Sequence, residues 1–416
     1  MERGPTGRFQ LKRGGGEEVR AFVPNSLPPE PPLDLGGARH RLLERATVAL
    51  GRLDSITTLL PDPQLFLYAY VRREAVLSSQ IEGTQSSLSD LLLFELEEAP
   101  GVRFDDVVEV SNYVAALEHG MARLRGGFPL SNRLIREMHE QLLARGRGSE
   151  KQPGEFRRSQ NWIGGTRPGH AHFVPPPPSL VDELMSALER AFHDPNGHYP
   201  VLVTAALTHV QFETIHPFLD GNGRIGRLLI PLLLHDAGIL QQPLLYLSLY
   251  LKQHRDQYYR LLDRVRATGD WESWLDFFLE GVATTATSAV DTARRLVALF
   301  KKDTARVQAA GRGAATMLRV LGSLHERPVI TLNEVSRRTG LSFPTAAKGM
   351  TSLLDIGLVR ELTGFRRNRV FAYDQYLALL GEGTEPTPRA RRSDRSASRG
   401  APAARTPGSR PGRAGR

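Results

Sequence analysis

The sequence predicts a mainly α-helical protein, with one β-hairpin laid over the helices and a small helix-and-ribbon module towards the C-terminal end. Three observations carry this. Apolar residues recur at helical spacing over most of residues 40–302, as in Leu65, Tyr68, Arg72 and Ala75, continued by Leu77 and Ile81. Residues 154–178 break that period with Gly and Pro around two β-prone pairs, Trp162-Ile163 and Phe173-Val174. Beyond the break at Gly311-Arg312-Gly313, short helical stretches give way to a basic, β-prone ribbon.

Taken in order, residues 1–35 contain Phe22-Val23-Pro24 and the run Leu27-Pro28-Pro29-Glu30-Pro31-Pro32. They read as an extended arm, because a residue before proline is pushed out of the helical region. Residues 36–125 form a helical region in which one helix ends at Gly83 and another covers 104–125. Residues 126–302 form the main body. There Ser131 caps a helix through Leu134, Met138 and Leu142, and further helices are expected over 179–193, 201–215, 226–236, 249–266 and 271–302. Within 303–380, a helix over 314–325 precedes a capping box, Thr331-x-x-Glu334, then a turn at Gly340 and a third helix capped by Ser342. The ribbon Phe365-Arg366-Arg367-Asn368-Arg369 with Val370-Phe371-Ala372-Tyr373 follows.

That order resembles the winged helix-turn-helix of bacterial winged-helix domains. In a DNA-binding reading, Thr345, Lys348 and Thr351 would face the major groove, while Arg366, Arg367 and Arg369 would meet phosphate or the minor groove. The alternative is a module that kept the fold for protein docking or for forming a homodimer.

Composition narrows the functional classes. With 40% apolar and 24% charged residues over 416 positions, a disordered or fibrous chain is excluded. No cysteine means no disulfide, no thiolate metal site and no cysteine nucleophile, so a reducing, cytoplasmic setting is expected. The run Leu228 to Leu234 is too short to cross a bilayer, which takes about 20 residues, so no membrane segment and no secretory signal are expected. The net charge of +9 is uneven: residues 381–416 hold nine Arg and three acids, or +6. This tail lacks apolar periodicity and is expected to be disordered, either as solvated filler or as a tether for nucleic acid or acidic surfaces.

The chemistry concentrates in His216-Pro217-Phe218-Leu219-Asp220-Gly221-Asn222-Gly223-Arg224-Ile225-Gly226-Arg227, just ahead of the apolar helix at Leu228. Closely spaced glycines let backbone N–H groups converge on an anion, and the helix behind adds its positive end. Arg224 and Arg227 can each fork onto phosphate oxygens, Asp220 offers the hard oxygen that Mg²⁺ prefers, and His216 suits a general base. Phe218 reads as the apolar anchor of the loop. Gly221-x-Gly223-x-x-Gly226 matches a dinucleotide fingerprint literally, yet no strand precedes it and Asp236 comes too early for a ribose carboxylate. Glu213-x-x-His216 matches half of a di-iron motif and lacks its second half.

The segment resembles the Fic (Fido) signature H-P-F-x-[DE]-G-N-G-R-x-x-R at every fixed position. Likeness extends through Gly154-Glu155-Phe156-Arg157, Trp162-Ile163-Gly164-Gly165, the proline run 175–178 and Tyr258-Tyr259. The resemblance implies a Fic-type helical core over 126–302 with a β-hairpin flap. It also implies transfer of AMP from ATP, with Mg²⁺, onto a Ser, Thr or Tyr hydroxyl of a target protein or of the chain itself. On that reading His216 is the base and Asp220 holds the metal. The Gly221-Asn222-Gly223 amides and the Asn222 side chain steady the α-phosphate, with Ile225 and Gly226 in the same nucleotide-binding turn. Arg224 and Arg227 clamp the outer phosphates. Trp162, Ile163 and Gly164 align the target backbone or nucleotide, and Tyr258 and Tyr259 line the adenosine pocket.

Ser78-Ser79-Gln80-Ile81-Glu82-Gly83 resembles the inhibitory [ST]-x-x-x-E-[GN] helix of some Fic proteins. The resemblance implies that Glu82 pairs with Arg227 and denies it to the γ-phosphate. Two other functions stay open at this point: a DNA-binding regulator whose Fic core senses nucleotide, and removal of AMP from modified protein.

Overall fold

The computed structural model describes residues 3–14, 17–59, 63–96, 104–194, 197–365 and 367–385. All of them belong to one compact unit, Met1–Pro386. The arm is not simply extended. It folds into an antiparallel hairpin, β1 Gly7–Gly14 on β2 Glu17–Pro24, with Phe9 opposite Phe22. The hairpin is held from outside itself: Phe22 N–H donates to Val174 O at 2.9 Å and its ring meets Phe173. Arg3 is fastened to Glu272, and burial is outweighed by that pairing, leaving the Glu272 carboxyl at about 2.

Helices α1 Gly37–Leu59, α2 Pro63–Ile81, α3 Leu88–Phe94, α4 Phe104–Arg125 and α5 Asn132–Leu142 come next. Ser131 caps α5 as its sequence predicts, accepting from Leu134 N–H. The expected flap hairpin reduces to one antiparallel bridge, Ile163 with Phe173. Proline accounts for this: the run Pro175–Pro178 has no N–H to extend a ladder.

The core centres on α7 Val201–Ile215 and α8 Asn222–Asp236, preceded by α6 Val181–Phe192. Every residue of α7 except Val201 and Thr204 is buried, so the helix is enclosed on all sides and takes the polar Thr208, His209, Gln211, Glu213 and Thr214 into the interior. Helix α8 begins at Asn222 and not at Gly226 as the glycine spacing suggested. Its two early glycines serve close approach: a methyl at Gly226 would lie 2.6 Å from Glu213 Oε1 on α7. Gly226→Ala is therefore expected to destabilise the chain by about 1–3 kcal/mol through overpacking, measurable by denaturant unfolding.

The stretch expected as one helix over 249–266 is two, α9 Ser248–Gln253 and α10 Arg255–Thr268. Helix α11, Trp271–Ala309, packs along α1 and runs through the boundary expected at 302. Beyond it stand α12 Ala314–Glu326, β3 Val329–Thr331, α13 Leu332–Thr339, α14 Phe343–Asp355, β4 Arg360–Glu361 and β5 Val370–Ala372. The three strands form an antiparallel sheet in the order β3-β5-β4. A last helix, α15 Asp374–Gly381, returns against α2 and α11. Of the tail expected to be disordered from residue 381, positions 382–385 are held against α2, α9 and α11, whereas 386–416 lie outside the described residues.

Candidate active site

Helix α7 ends at His216, whose N–H still donates to Phe212 O at 2.9 Å while its backbone turns left-handed, φ 51 and ψ 60. A side chain with a Cβ seldom holds that conformation without outside support. The support is explicit. Asn222 clamps Phe218 from both sides, accepting its N–H at 2.9 Å and donating to its carbonyl at 2.8 Å. Asn161 donates to the same carbonyl at 2.9 Å. Phe218 is fully buried, stacked flat on His139 with ring centres 3.7 Å apart. His139 takes the Gly154 N–H on Nδ1, so its Nε2 donates to Asp220 O at 3.0 Å; burial pushes its pKa down to about 4.

Arg157 fastens the other end of the loop. Its side chain donates to His216 O at 2.9 Å and to Pro176 O at 2.6 Å, and its N–H to Pro217 O at 2.9 Å. It has no carboxylate partner among its bonds, and burial lowers it to about 10. Sequence reasoning counted Gly154-Glu155-Phe156-Arg157 only as likeness and missed His139 and Asn161 altogether. A basic or polar residue carries no mark in sequence that it will be buried against carbonyls.

The Asn222 side chain is therefore not free to steady a phosphate, because both its ends are bonded within the loop and the residue is 1% exposed. Asn222→Ala would leave the Phe218 N–H without a partner, and is expected to cost about 1–3 kcal/mol in unfolding free energy. Ile225 also differs from expectation: it is fully buried core, contributing backbone only.

Gly221, φ 78, caps α8, and its N–H donates to Asp220 Oδ1 at 2.6 Å. Asp220 keeps a third of its side chain exposed. Arg224 faces Asp220 at 3.4 Å and Glu109 at 3.5 Å, with its Nε and one terminal nitrogen unbonded. Arg227 turns instead to α2: Nε donates to Ser78 Oγ at 2.8 Å, and a terminal nitrogen donates to Ser78 O at 3.0 Å and to Glu82 Oε1 at 2.8 Å. Glu82 lies directly over the glycine turn, since a methyl at Gly223 would meet its Oε1 at 2.3 Å. Partial burial pushes the Glu82 carboxyl up, and the Arg227 guanidinium more than offsets it, so it sits below the ordinary range. The anion seat thus holds a carboxylate of the chain itself.

The His216 ring is 19% exposed, and its Nδ1 lies 4.0 Å from Glu213 Oε2, too far for a hydrogen bond. Burial, with Arg157 and Arg266 nearby, lowers its pKa to about 3, while burial raises the Glu213 carboxyl to about 7.

Residues 40–122 match the Fic/DOC family N-terminal model, and residues 129–234 match the Fic/DOC family model. These two stretches correspond to a Fic/DOC N-terminal region and a Fic domain. The chain is 33% identical over 182 residues to the protein adenylyltransferase Fic of Drosophila grimshawi, which covers 43% of this chain and 34% of that protein. It is 33% identical over 206 residues to the one of Aedes aegypti, covering 48% and 38%. The chain thus spans about a third of the length of these curated relatives. A Fic family protein from Desulfovibrio desulfuricans shares the fold over 83% of this chain and 98% of its own, with TM-score 0.54 and 21% identity.

The remaining expected site residues divide. Within the Fic flap, Ile163 pairs with Phe173, Trp162 is 40% exposed, and Gly164 has φ 70 against His172. Tyr258 does not line an open pocket: it is 1% exposed, and its hydroxyl is bonded to His209 at 2.9 Å. Tyr259 keeps an exposed ring flanked by Arg255. On the C-terminal module, Lys348 and Arg367 are exposed, while Thr345 bonds Ser342. Arg369 is engaged by Glu361 at 2.5 Å and lies over Phe371, so it braces the ribbon rather than standing free for phosphate. Arg366 lies outside the described residues.

Proposed function

We propose that this chain transfers AMP from ATP to a Ser, Thr or Tyr hydroxyl of a target protein or of itself, and that Glu82 holds the activity down. The observation that carries the reading is the seat at the start of α8. There the glycine turn, the helix end and Arg227 converge on a carboxylate, and a place that holds a carboxylate suits a phosphate. Similarity to curated adenylyltransferases supports the choice of nucleotide.

The acceptor oxygen forms a bond to the α-phosphorus, the bond to the bridging oxygen of the β-phosphate breaks, and pyrophosphate leaves with that electron pair. His216 takes the hydroxyl proton. With Nδ1 turned inward towards Glu213, Nε2 is the free nitrogen, and the depressed pKa keeps the ring in its neutral, proton-accepting form. The amides of the turn face the charge that grows on the α-phosphate. Arg227, once released by Glu82, and Arg224 pair with the outer phosphates. Tyr259 and the flap residues Trp162, Ile163 and Gly164 flank nucleotide and target.

Asp220 fits Mg²⁺, offering one partly exposed carboxylate. Among the described residues no cluster of three or more His, Asp or Glu stands ready for a metal, which suits an ion that takes its other ligands from phosphate and water. An ion held there by Asp220 would supply positive charge against the phosphates. No helix among the described residues is long and apolar enough to cross a membrane. Lys348 and Arg367 would be the contacts if the C-terminal module meets DNA.

The test uses Glu82→Gly protein with ATP labelled first at the α- and then at the γ-phosphate. Retention of the α-label alone is expected. A retained γ-label would mean phosphoryl transfer and would overturn the reading.

A further inference from the structure

Glu82 lies just past the end of α2, so its place over Gly223 depends on where α2 ends. Each residue of helix advances about 1.5 Å, so a slip of one or two residues would break the ion pair to Arg227. On one side α2 is tied by Ser78 to Arg227 itself. On the other it is tied by residues 382–385, which follow α15.

The tie is dense. Gln80, two residues before Glu82, donates from Nε2 to Thr384 O at 2.8 Å and to Ser86 O at 2.9 Å, and accepts from Lys252 Nζ at 2.6 Å. Lys252 also donates to Glu385 O at 2.6 Å and Gly383 O at 3.3 Å, which uses its three protons. Arg73, further back on α2, donates to Glu382 O at 2.7 Å. The Glu382 carboxylate is gripped by both terminal nitrogens of Arg295 on α11, at 2.8 and 2.6 Å. Thr384 is 5% exposed. Gly383 has φ 81, and a methyl there would meet Leu249 Cδ1 at 2.7 Å, so the segment fits only as glycine. Carbonyls of four successive residues are thus read by three side chains, two of them on α2.

We infer that residues 382–385 are an intramolecular latch whose docking against Arg73, Gln80 and Lys252 fixes the end of α2 and thereby keeps Glu82 on Arg227. The inference rests on the inhibitory reading of Glu82. It makes the C-terminal module the controller of the active site, because the latch continues directly from α15. Whatever displaces α15, a partner seated on that module included, withdraws the latch and frees Arg227 for nucleotide.

The experiment measures incorporation of α-labelled AMP by the full chain in four forms: unaltered, Lys252→Met, Glu82→Gly, and the double variant. Lys252→Met is expected to raise incorporation about tenfold, the double variant to match Glu82→Gly alone because both remove one restraint, and amide hydrogens of residues 78–84 to exchange faster in Lys252→Met. Damage to the fold would lower activity, so a gain separates release from unfolding. If Lys252→Met does not fold, Gly383→Val, whose side chain would collide with Leu249 and push the latch off α9, takes its place with the same expectation. Glu82→Gly raised but both latch variants at the unaltered rate would overturn the latch alone. Glu82→Gly at the unaltered rate would overturn the inhibitory reading, and the latch with it.

Discussion

Glu82→Gly is expected to raise self-modification with ATP and Mg²⁺ by about 100-fold, the equivalent of roughly 2.7 kcal/mol of preference for the closed seat. The closed state supplies a preference of this kind through the 2.8 Å pair between Glu82 and a 2% exposed Arg227. Burial alone would lower the Arg227 pKa, yet the neighbouring carboxylate raises it, so the guanidinium stays charged and needs an anion. Glu82 and a phosphate are rivals for that role. Removing the carboxylate is also expected to cost the nucleotide-free protein about 1–2 kcal/mol of stability, less than the cost of breaking a fully buried pair, because the Glu82 side chain is 33% exposed. ATP should restore that loss in a thermal melt. The sign of the pH effect follows from the lowered carboxyl: the pair contributes fully above the ordinary carboxylate value and lets go only as pH falls below the ordinary carboxylate range. Incorporation equal to that of the unaltered chain would end the inhibitory assignment.

Much of the site was legible because its chemistry is local. The helix over 201–215 and the capping residue Ser131 could be read from periodicity and from cap geometry, and both stand. The partnership of Glu82 and Arg227, separated by more than a hundred residues, became readable only through likeness to a family, since spacing carries no information at that range. Where reading failed, tertiary contact had overridden a local rule. Gly223 and Gly226 look like helix breakers, yet they lie inside α8 because Glu82 and Glu213 approach too closely for a side chain. The proline-containing arm reads as extended, yet Phe22 docks on Val174 and the arm folds into a hairpin. Asn222 and Tyr258 have the chemistry of ligand contacts, but their polar atoms are taken by Phe218 and His209. Arg157 is the converse case, a surface-type residue buried to hold the backbone of the catalytic loop.

In the Glu82→Gly background, His216→Ala is expected to lower AMP transfer by about 10²–10⁴ while leaving ATP binding in place, the range a positioned general base contributes. The structure makes this separation possible. The His216 ring accepts no bond that the loop depends on, for its Nδ1 is unpaired and the loop is held through the His216 carbonyl by Arg157. Alanine must still adopt the left-handed turn at φ 51, a strain of roughly 1 kcal/mol that the bonds from Asn222 and Arg157 can hold. A nucleotide-binding assay should therefore return a near-unchanged Kd while label incorporation falls. The pH profile adds a second check. A free histidine would lose its base form below about pH 6.5, but burial puts His216 at about 3, so the acid limb of transfer in Glu82→Gly should not have its midpoint near 6.5. Glu82 raises the His216 pKa by its charge, so removing it moves that midpoint further towards acid, not away from it. An alanine variant that still transfers AMP would rule out His216 as the base. A limb at 6.5 that disappears in no variant would point to a different titrating group.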